Sequence, residues 1–156
     1  MAYYFLDSSA LVKRHVKEPG HTRIEALCDP VAGNAIIIAE TALTEVIASF
    51  CRMARESPPR LSLAERDQLI TYFETLMNSE YVIAQVSRAM FTRAAALCRM
   101  HPLRAYDAIQ LASALAIGND HLTAGLPAPV FVCADTHLLA AAASEGLAVE
   151  NPNTYP

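Results

Sequence analysis

The sequence predicts an α/β fold of three layers, in which helices cover both faces of a central, mainly parallel sheet. Short, continuously apolar runs are typical of strands buried on both faces, and residues 35–39 and 130–134 are two such runs. These runs alternate along the chain with segments of helical periodicity, which is the pattern of a parallel sheet. The chain has 156 residues, of which 53% are hydrophobic and 18% charged. We therefore expect residues 1–156 to form a single domain with one sizeable core.

The first predicted strand covers residues 3–6 and ends at Asp7, where helical spacing begins. A turn at 18–20 precedes a short helix over 21–28, and the apolar run 35–39 is the second strand. Asp7 is therefore expected at the carboxyl end of a strand, where a helix starts.

Two long helices follow and are expected to form a protruding helical hairpin over residues 41–78. The first runs over 41–56, because its apolar residues fall on one stripe: Leu43, Val46, Ile47, Phe50 and Ala54. A Ser-Pro-Pro sequence then breaks the helix. Ser62 and Glu65 form a capping box, which predicts the start of the second helix.

The last third of the chain continues the alternation. Residues 81–86 resemble a strand, and Ser87 caps a helix that ends near residue 100. The segment 105–117 is apolar on nearly every side, which predicts a helix buried inside the domain. A strand over 130–134 leads into a further helix, and 147–149 is a last short strand.

Composition narrows the class of protein. No apolar stretch reaches the roughly 18 residues that a membrane span needs. The N-terminus also lacks the basic segment of a signal peptide. We therefore expect a cytoplasmic protein with no membrane contact. The net charge is −4, but all 12 Lys and Arg residues lie within 1–104. The four cysteines form no C-x-x-C pair and have apolar neighbours, which predicts buried, inert thiols in a reducing compartment: Cys28, Cys51, Cys98 and Cys133.

Four carboxylates occupy positions from which they can meet. Asp7 and Asp135 each follow a strand, Asp107 opens the most apolar helix, and Glu45 lies in the first turns of a helix that follows a strand. Each has a plain structural alternative, because Asp caps helices and Glu45, opposite the apolar stripe, suits a solvated face. Several carboxylates in one cleft repel each other unless a cation binds, and oxygen-only ligands favour Mg²⁺ or Mn²⁺. Such a site is typical of phosphate chemistry.

Several sequence blocks, in order along nearly the whole chain, resemble the PIN-domain ribonucleases of the VapC toxin type. The opening block is YFLDSSALVK with VKEPG, and the later blocks are TEV at 44–46, LRAYDAIQLASAL at 103–115 and FVCAD at 131–135. The resemblance implies a PIN-like fold and a hydrolase that cleaves RNA with a metal-activated water molecule. It also implies a toxin of a toxin–antitoxin pair.

The resemblance also implies roles for single residues. Asp7, Glu45, Asp107 and Asp135 would be catalytic ligands of Mg²⁺ or Mn²⁺. Ser9 would support Asp7 through a hydrogen bond, and Thr136 would add a polar contact. The family frequently has Thr where Cys133 or Ala134 stands, which removes a polar group but no ligand. The candidates for contact with the RNA backbone are Lys13, Arg14 and Lys17, for which a solvated face is the alternative. Tyr106 is expected in the core.

The partners implied are a VapB-like antitoxin, an RNA substrate and a second copy of the chain in a homodimer. The alternative function is a catalytically silent PIN-like module that binds RNA or protein, but such a module would be expected to lose some of the four acids. Ser9 stands where haloacid-dehalogenase chemistry needs a second Asp, which argues strongly against that chemistry. The Gly-rich nucleotide-binding motifs are absent from the sequence.

Overall fold

The computed structural model describes residues 1–155. Five strands form one sheet in the order β3-β2-β1-β4-β5, and every pairing is parallel. The predicted α/β/α arrangement is confirmed, with a sheet that is parallel throughout. The strands are β1 (Tyr3–Leu6), β2 (Ala35–Ala39), β3 (Val82–Ala84), β4 (Val130–Val132) and β5 (Val149–Glu150).

The central strand β1 determines where a cleft opens. Phe5 lies opposite Ile37 of β2 on one side and opposite Phe131 of β4 on the other. The chain order reverses at this point, since β2 and β3 extend the sheet in one direction and β4 and β5 in the other. In open parallel sheets, ligands bind beyond the carboxyl ends of the strands at such a reversal.

The helices lie close to the predicted segments. A short helix, α1, continues as a 3₁₀ turn over Val12–Arg14. The capping box predicted for the second hairpin helix is present, because Ser62 Oγ accepts a hydrogen bond from Glu65 N and the Glu65 carboxylate accepts one from Ser62 N. The helices are α1 (Ser8–Leu11), α2 (His21–Cys28), α3 (Ala42–Arg55), α4 (Leu63–Ser79), α5 (Arg88–Met100), α6 (Ala105–Thr123) and α7 (Thr136–Ser144).

Several boundaries differ from the sequence prediction, including β5, which is Val149–Glu150 rather than 147–149. Helix α6 continues to Thr123 rather than ending near 117, because its last, polar turns keep the backbone hydrogen bonds of a helix while facing solvent. β3 ends at Ala84, and β4 ends at Val132, after which Ala134 N donates a hydrogen bond to Ser9 Oγ instead of continuing the sheet. At the end of α6, the side chains become exposed where the sequence becomes polar, but the backbone hydrogen bonds of the helix continue beyond that point.

Two apolar clusters cover the two faces of the sheet. Successive residues of β1 point to opposite faces, so Phe5 belongs to one cluster and Leu6 to the other. The Leu6 cluster includes Phe50 of α3 and Phe73 of α4, which packs the hairpin against the sheet. The Phe5 cluster includes Leu111 of α6. Within residues 1–155, no helix is long and apolar enough to cross a membrane.

The prediction of four buried thiols is wrong for two of the cysteines. Cys28 and Cys133 are buried, but Cys51 is only partly buried and Cys98 is exposed. Cys98 directly follows the fully buried Leu97 on α5, and one residue along a helix turns the side chain by about 100° toward solvent. All four thiols are free.

Candidate functional site

A cleft of about 620 Å³ opens at the carboxyl ends of the central strands. The chain brings the four acids singled out in the sequence to this cleft from four different elements: Asp7 after β1, Glu45 on α3, Asp107 on α6 and Asp135 after β4. Because these residues are far apart in the sequence, only the packing of the helices on the sheet brings them together.

Asp7 is the most buried of the four, with 3% of its surface exposed. Its Oδ2 atom accepts hydrogen bonds from Ser9 N at 2.9 Å, from Ser9 Oγ at 2.6 Å and from Cys133 Sγ at 3.5 Å. All three of these hydrogen bonds end on Oδ2, and none of them involves Oδ1. Burial raises the pKa of Asp7, and the hydrogen bonds from Ser9 and Cys133 oppose that rise.

Glu45 does not lie on a solvated face. Its Oε1 accepts a hydrogen bond from Gln110 Nε2 at 2.7 Å, and its Oε2 accepts one from Ser8 Oγ at 2.6 Å. Burial is the largest cause that raises the pKa of Glu45; the charges of Asp7 and Asp107 raise it further, and the two hydrogen bonds oppose the rise. The helix α3 therefore turns its small, polar side into the cleft.

Gln110 is a residue that the sequence reasoning missed. It is 0% exposed and lies in α6 about one turn after Asp107, inside a segment that is otherwise apolar. A long polar side chain in a uniformly apolar helix was the available signal, because a buried amide requires a hydrogen-bond partner.

Asp107 and Asp135 complete the acidic floor. Asp107 lies in the first turn of α6, and its pKa is raised first by burial and then by the charges of Asp7 and Asp135. Asp135 caps α7, where its Oδ1 accepts hydrogen bonds from His137 N at 2.8 Å and Leu138 N at 3.0 Å. Its Oδ2 receives neither bond, so capping a helix and holding a ligand are compatible at this residue.

The basic and polar residues proposed from the sequence lie in different environments in the structure. Lys13 lines the cleft, but it is buried and its Nζ lies 3.0 Å from Glu18 Oε1. Arg14 lies outside the cleft, where it donates hydrogen bonds to Glu80 at 2.6 Å and to Tyr81 at 2.7 Å. The exposed Lys17 and Thr136 are not among the residues that line the cleft.

Other side chains that line the cleft were not singled out in the sequence. Arg52, Arg60 and Arg104 are exposed residues of the cleft walls, and Arg60 forms an ion pair with Glu18 at 3.0 Å. Tyr106, expected in the core, is 48% exposed and also lines the cleft, so that prediction is wrong. The buried face of α6 begins only at Ala108, which leaves the first turn of this helix open to the cleft.

The acidic floor has the chemistry of a site for a hard divalent cation. Burial raises the pKa of three of the carboxyls, Asp7, Glu45 and Asp107, so their charges are costly unless a cation compensates them. Within residues 1–155, no three His, Cys, Asp or Glu side chains are already arranged as one ligand set. Mg²⁺ needs only one or two carboxylates, because it keeps several of its waters. The free oxygens of Asp7 and Asp135 fit that requirement.

Comparison of the sequence with known proteins identifies a family and two relatives. Residues 4–125 match the family model of the PIN domain. Two relatives from Mycobacterium tuberculosis are Ribonuclease VapC45 of strain CDC 1551 / Oshkosh and Ribonuclease VapC49 of strain ATCC 25618 / H37Rv. Each is 32% identical over 125 residues, which cover 78% of this chain and 81% of the relative.

Solved structures share the fold at lower identity. VapBC2 from Rickettsia felis, bound to a DNA fragment from their promoter, matches with a TM-score of 0.61 and 15% identity, covering 96% of this chain and 98% of that one. VapC20 of Mycobacterium tuberculosis, a Sarcin-Ricin loop cleaving toxin, matches with a TM-score of 0.60 and 13% identity, covering 92% and 95%. The family model and the curated relatives agree with the resemblance seen in the sequence, and the chain belongs to the PIN domain family, as a relative of the VapC ribonucleases.

Proposed function

We propose that this protein is a Mg²⁺- or Mn²⁺-dependent endoribonuclease and the toxin of a toxin–antitoxin pair. The observation that carries the proposal is the convergence of four carboxylates from four elements in one cleft at the reversal of strand order. The names of the curated relatives support ribonuclease chemistry. The PIN family to which the chain belongs implies a divalent metal.

Asp7, Glu45, Asp107 and Asp135 would hold the ion. When bound, such an ion stabilises the charge on a phosphodiester during in-line displacement and activates a water molecule. The protein contributes the geometry, because hydrogen bonds from Ser9 and Cys133 to Oδ2 anchor the Asp7 carboxylate at the end of β1. The N-terminus of α7 orients Asp135 in the same way. Anchored carboxylates lose little freedom when a ligand binds.

The substrate backbone would approach over the basic walls rather than over the first helix. An acidic floor repels RNA phosphates, so binding requires positive charge at the rim. Arg52 lies on α3 and Arg104 directly before α6; both line the cleft, and neither forms an ion pair among residues 1–155. We place the RNA contacts there, in preference to Arg14, whose guanidinium is already committed to Glu80.

A VapB-like antitoxin and a second copy of the chain are the proposed partners. Similar folds occur in the VapBC2 and FitAB structures, both bound to DNA fragments. We propose that the antitoxin covers the acidic cleft with a basic side chain and seats a helix on the α3–α4 hairpin. The complex would act in the cytoplasm, a reducing compartment in which four free thiols persist. Expression without the antitoxin should arrest bacterial growth, and normal growth would count against a toxin.

The alternative is a module that binds RNA or protein without cleaving it. A binding module has no need for a cluster of carboxylates in which burial makes the charges of Asp7, Glu45 and Asp107 costly, yet all four acids line the cleft. We therefore favour the enzyme.

A cleavage assay with matched aspartates tests the proposal. Asp7→Asn keeps the size and the helix cap, since Asn caps about as well as Asp, but removes the charge that a cation requires. Asp29→Asn is the control, because Asp29 also caps a short helical segment, through Val31 N at 2.9 Å, but lies outside the cleft. Structured RNA with single-stranded loops should be cut by the wild type and by Asp29→Asn in Mg²⁺, not in EDTA, and Asp7→Asn should lose orders of magnitude. Cleavage by Asp7→Asn at the wild-type rate would refute the site.

A further inference from the structure

The side chain of Glu45 is held from two sides by residues with no other evident task. Gln110 Nε2 donates to one carboxylate oxygen at 2.7 Å, and Ser8 Oγ donates to the other at 2.6 Å. The three residues come from α6, α1 and α3, which are separate elements in the chain. Both donors are buried, with 0% of Gln110 and 8% of Ser8 exposed. The arrangement is a clamp built by tertiary packing.

The orientation of the Gln110 amide shows which interaction the fold favours. The amide donates its N–H to Glu45, while its own carbonyl oxygen, Oε1, is buried and has no hydrogen-bond partner among residues 1–155. A buried polar atom without a partner costs stability, and methionine at this position would avoid the cost. The glutamine at this position is therefore explained by the hydrogen bond that its N–H group donates to Glu45, even though its carbonyl oxygen has no partner among residues 1–155.

Glu45 needs such support more than Asp7 and Asp135 do. Asp7 and Asp135 are short side chains anchored by backbone N–H groups at helix starts. Glu45 has a longer, more flexible side chain on α3, and the charges of Asp7 and Asp107 push against it. Without the clamp, repulsion would turn the carboxylate away from the acidic floor. Residues that hydrogen-bond a metal ligand in this way orient it, and their loss typically costs about 10- to 100-fold in affinity or activity.

We propose that Gln110, assisted by Ser8, is a positioning residue that holds the Glu45 carboxylate in the geometry required for binding the divalent cation. The inference rests on the proposed function, since it assigns a role within the same site. It names a residue of α6, inside the core, as part of the metal-binding apparatus.

The variant Gln110→Met tests the clamp, because methionine has a similar length and volume but no N–H donor. Ser113→Ala is the matched control, since Ser113 is also 0% exposed on α6, and its hydroxyl donates to Ile109 O at 2.8 Å and to Met90 Sδ at 3.8 Å but not to any of the four acids. Three quantities are measured: Mn²⁺ affinity by electron paramagnetic resonance, RNA cleavage as a function of Mg²⁺ concentration, and thermal stability in EDTA.

The expected result is a separation of function from stability. Gln110→Met should weaken Mn²⁺ binding and raise the half-saturating Mg²⁺ concentration by about 10- to 100-fold, without lowering the melting temperature in EDTA. Ser113→Ala should leave both metal readouts unchanged. In a Glu45→Gln background, Gln110→Met should add nothing, because the carboxylate to be positioned is gone.

The outcomes distinguish the two proposals. Unchanged Mn²⁺ affinity in Gln110→Met, or losses that add fully to those of Glu45→Gln, would overturn the positioning role even if the wild type cleaves RNA. A wild type that binds Mn²⁺ but cuts no RNA would overturn the proposed function, and the Mn²⁺ affinities would still decide the role of Gln110.

Discussion

Acidification should destabilise the protein through one partly buried histidine, His15. Its ring packs edge-to-face against Phe50, Tyr72 and Phe73, with ring centroids 5.6 to 5.7 Å apart. The Nε2 atom of His15 is buried and has no hydrogen-bond partner among the described residues. Burial, followed by the nearby charge of Arg14, lowers the pKa of this imidazole to about 4.

The sign and size of the effect follow from the two pKa values. The folded protein holds His15 neutral down to a pKa of about 4, whereas the unfolded chain protonates it near the ordinary histidine pKa of about 6.5. Protonation therefore favours the unfolded state, and stability is lost as the pH falls from about 6.5 to about 4. A difference of roughly 2.5 units at 1.36 kcal/mol each corresponds to about 3 kcal/mol. That is a large fraction of the 5–15 kcal/mol typical of a domain.

The variant His15→Phe isolates this contribution. Phenylalanine fills the same aromatic pocket without a group that titrates. The raised pKa values of Asp7, Glu45 and Asp107 act in the opposite direction, because those acids gain protons more readily in the folded state as the pH falls. These three acids are present in both His15→Phe and the wild type, so their contributions cancel in the difference in unfolding free energy between the two proteins.

Urea denaturation at pH 7.5 and at pH 4 measures the difference directly. The stability of His15→Phe relative to the wild type should rise by about 3 kcal/mol between the two pH values. A difference that does not change with pH would show that His15 is protonated in the folded protein and would refute the assignment of a partly buried neutral imidazole.

Three further outcomes are expected. Arg52→Ala and Arg104→Ala should each reduce the slope of log affinity for single-stranded RNA against log salt concentration by about 0.7, the value for one lost phosphate contact. The control is Arg99→Ala, which should leave the slope unchanged because Arg99 is exposed on α5 outside the cleft. Equal slopes in all three variants would contradict the proposed RNA path. A thiol reagent should label Cys98 rapidly in the native protein but Cys28 only after unfolding, because Cys98 is exposed and burial raises the pKa of the Cys28 thiol to about 11. Mass spectrometry measures the two labelling rates, and equal rates in the native protein would contradict this prediction. Mg²⁺ should raise the melting temperature of the wild type relative to EDTA, since it binds the folded state, and no rise would count against a cation site.

The nature of the strands and helix starts was available from the sequence because both depend on local interactions. The runs at 35–39 and 130–134 are apolar without alternation, and that pattern requires cover on both faces. Ser62 and Glu65 bond to each other across one helical turn, so their spacing is sufficient to predict the cap. The positions of Asp7 and Asp135 at strand ends follow from the same short-range pattern.

The members of the site that depend on contacts between distant elements required the tertiary structure. Periodicity placed Glu45 opposite the apolar stripe of α3, but only the packing of α3 against α1 and α6 decided that this side faces a cleft rather than solvent. Gln110 lies 65 residues from Glu45 in the chain, and no local rule relates the two. The environment of Arg14 was of the same kind, since only the tertiary structure shows that it lies outside the cleft and pairs with Glu80.

The sequence by itself determined the layers of the fold, the helix starts and the acids available for chemistry, because strand burial, helical period and capping are decided within a few residues of each position. Only the tertiary structure decided which side chains support Glu45 and which arginines line the cleft. Those properties depend on distances between elements, and the distances result from how the helices pack on the two faces of the sheet.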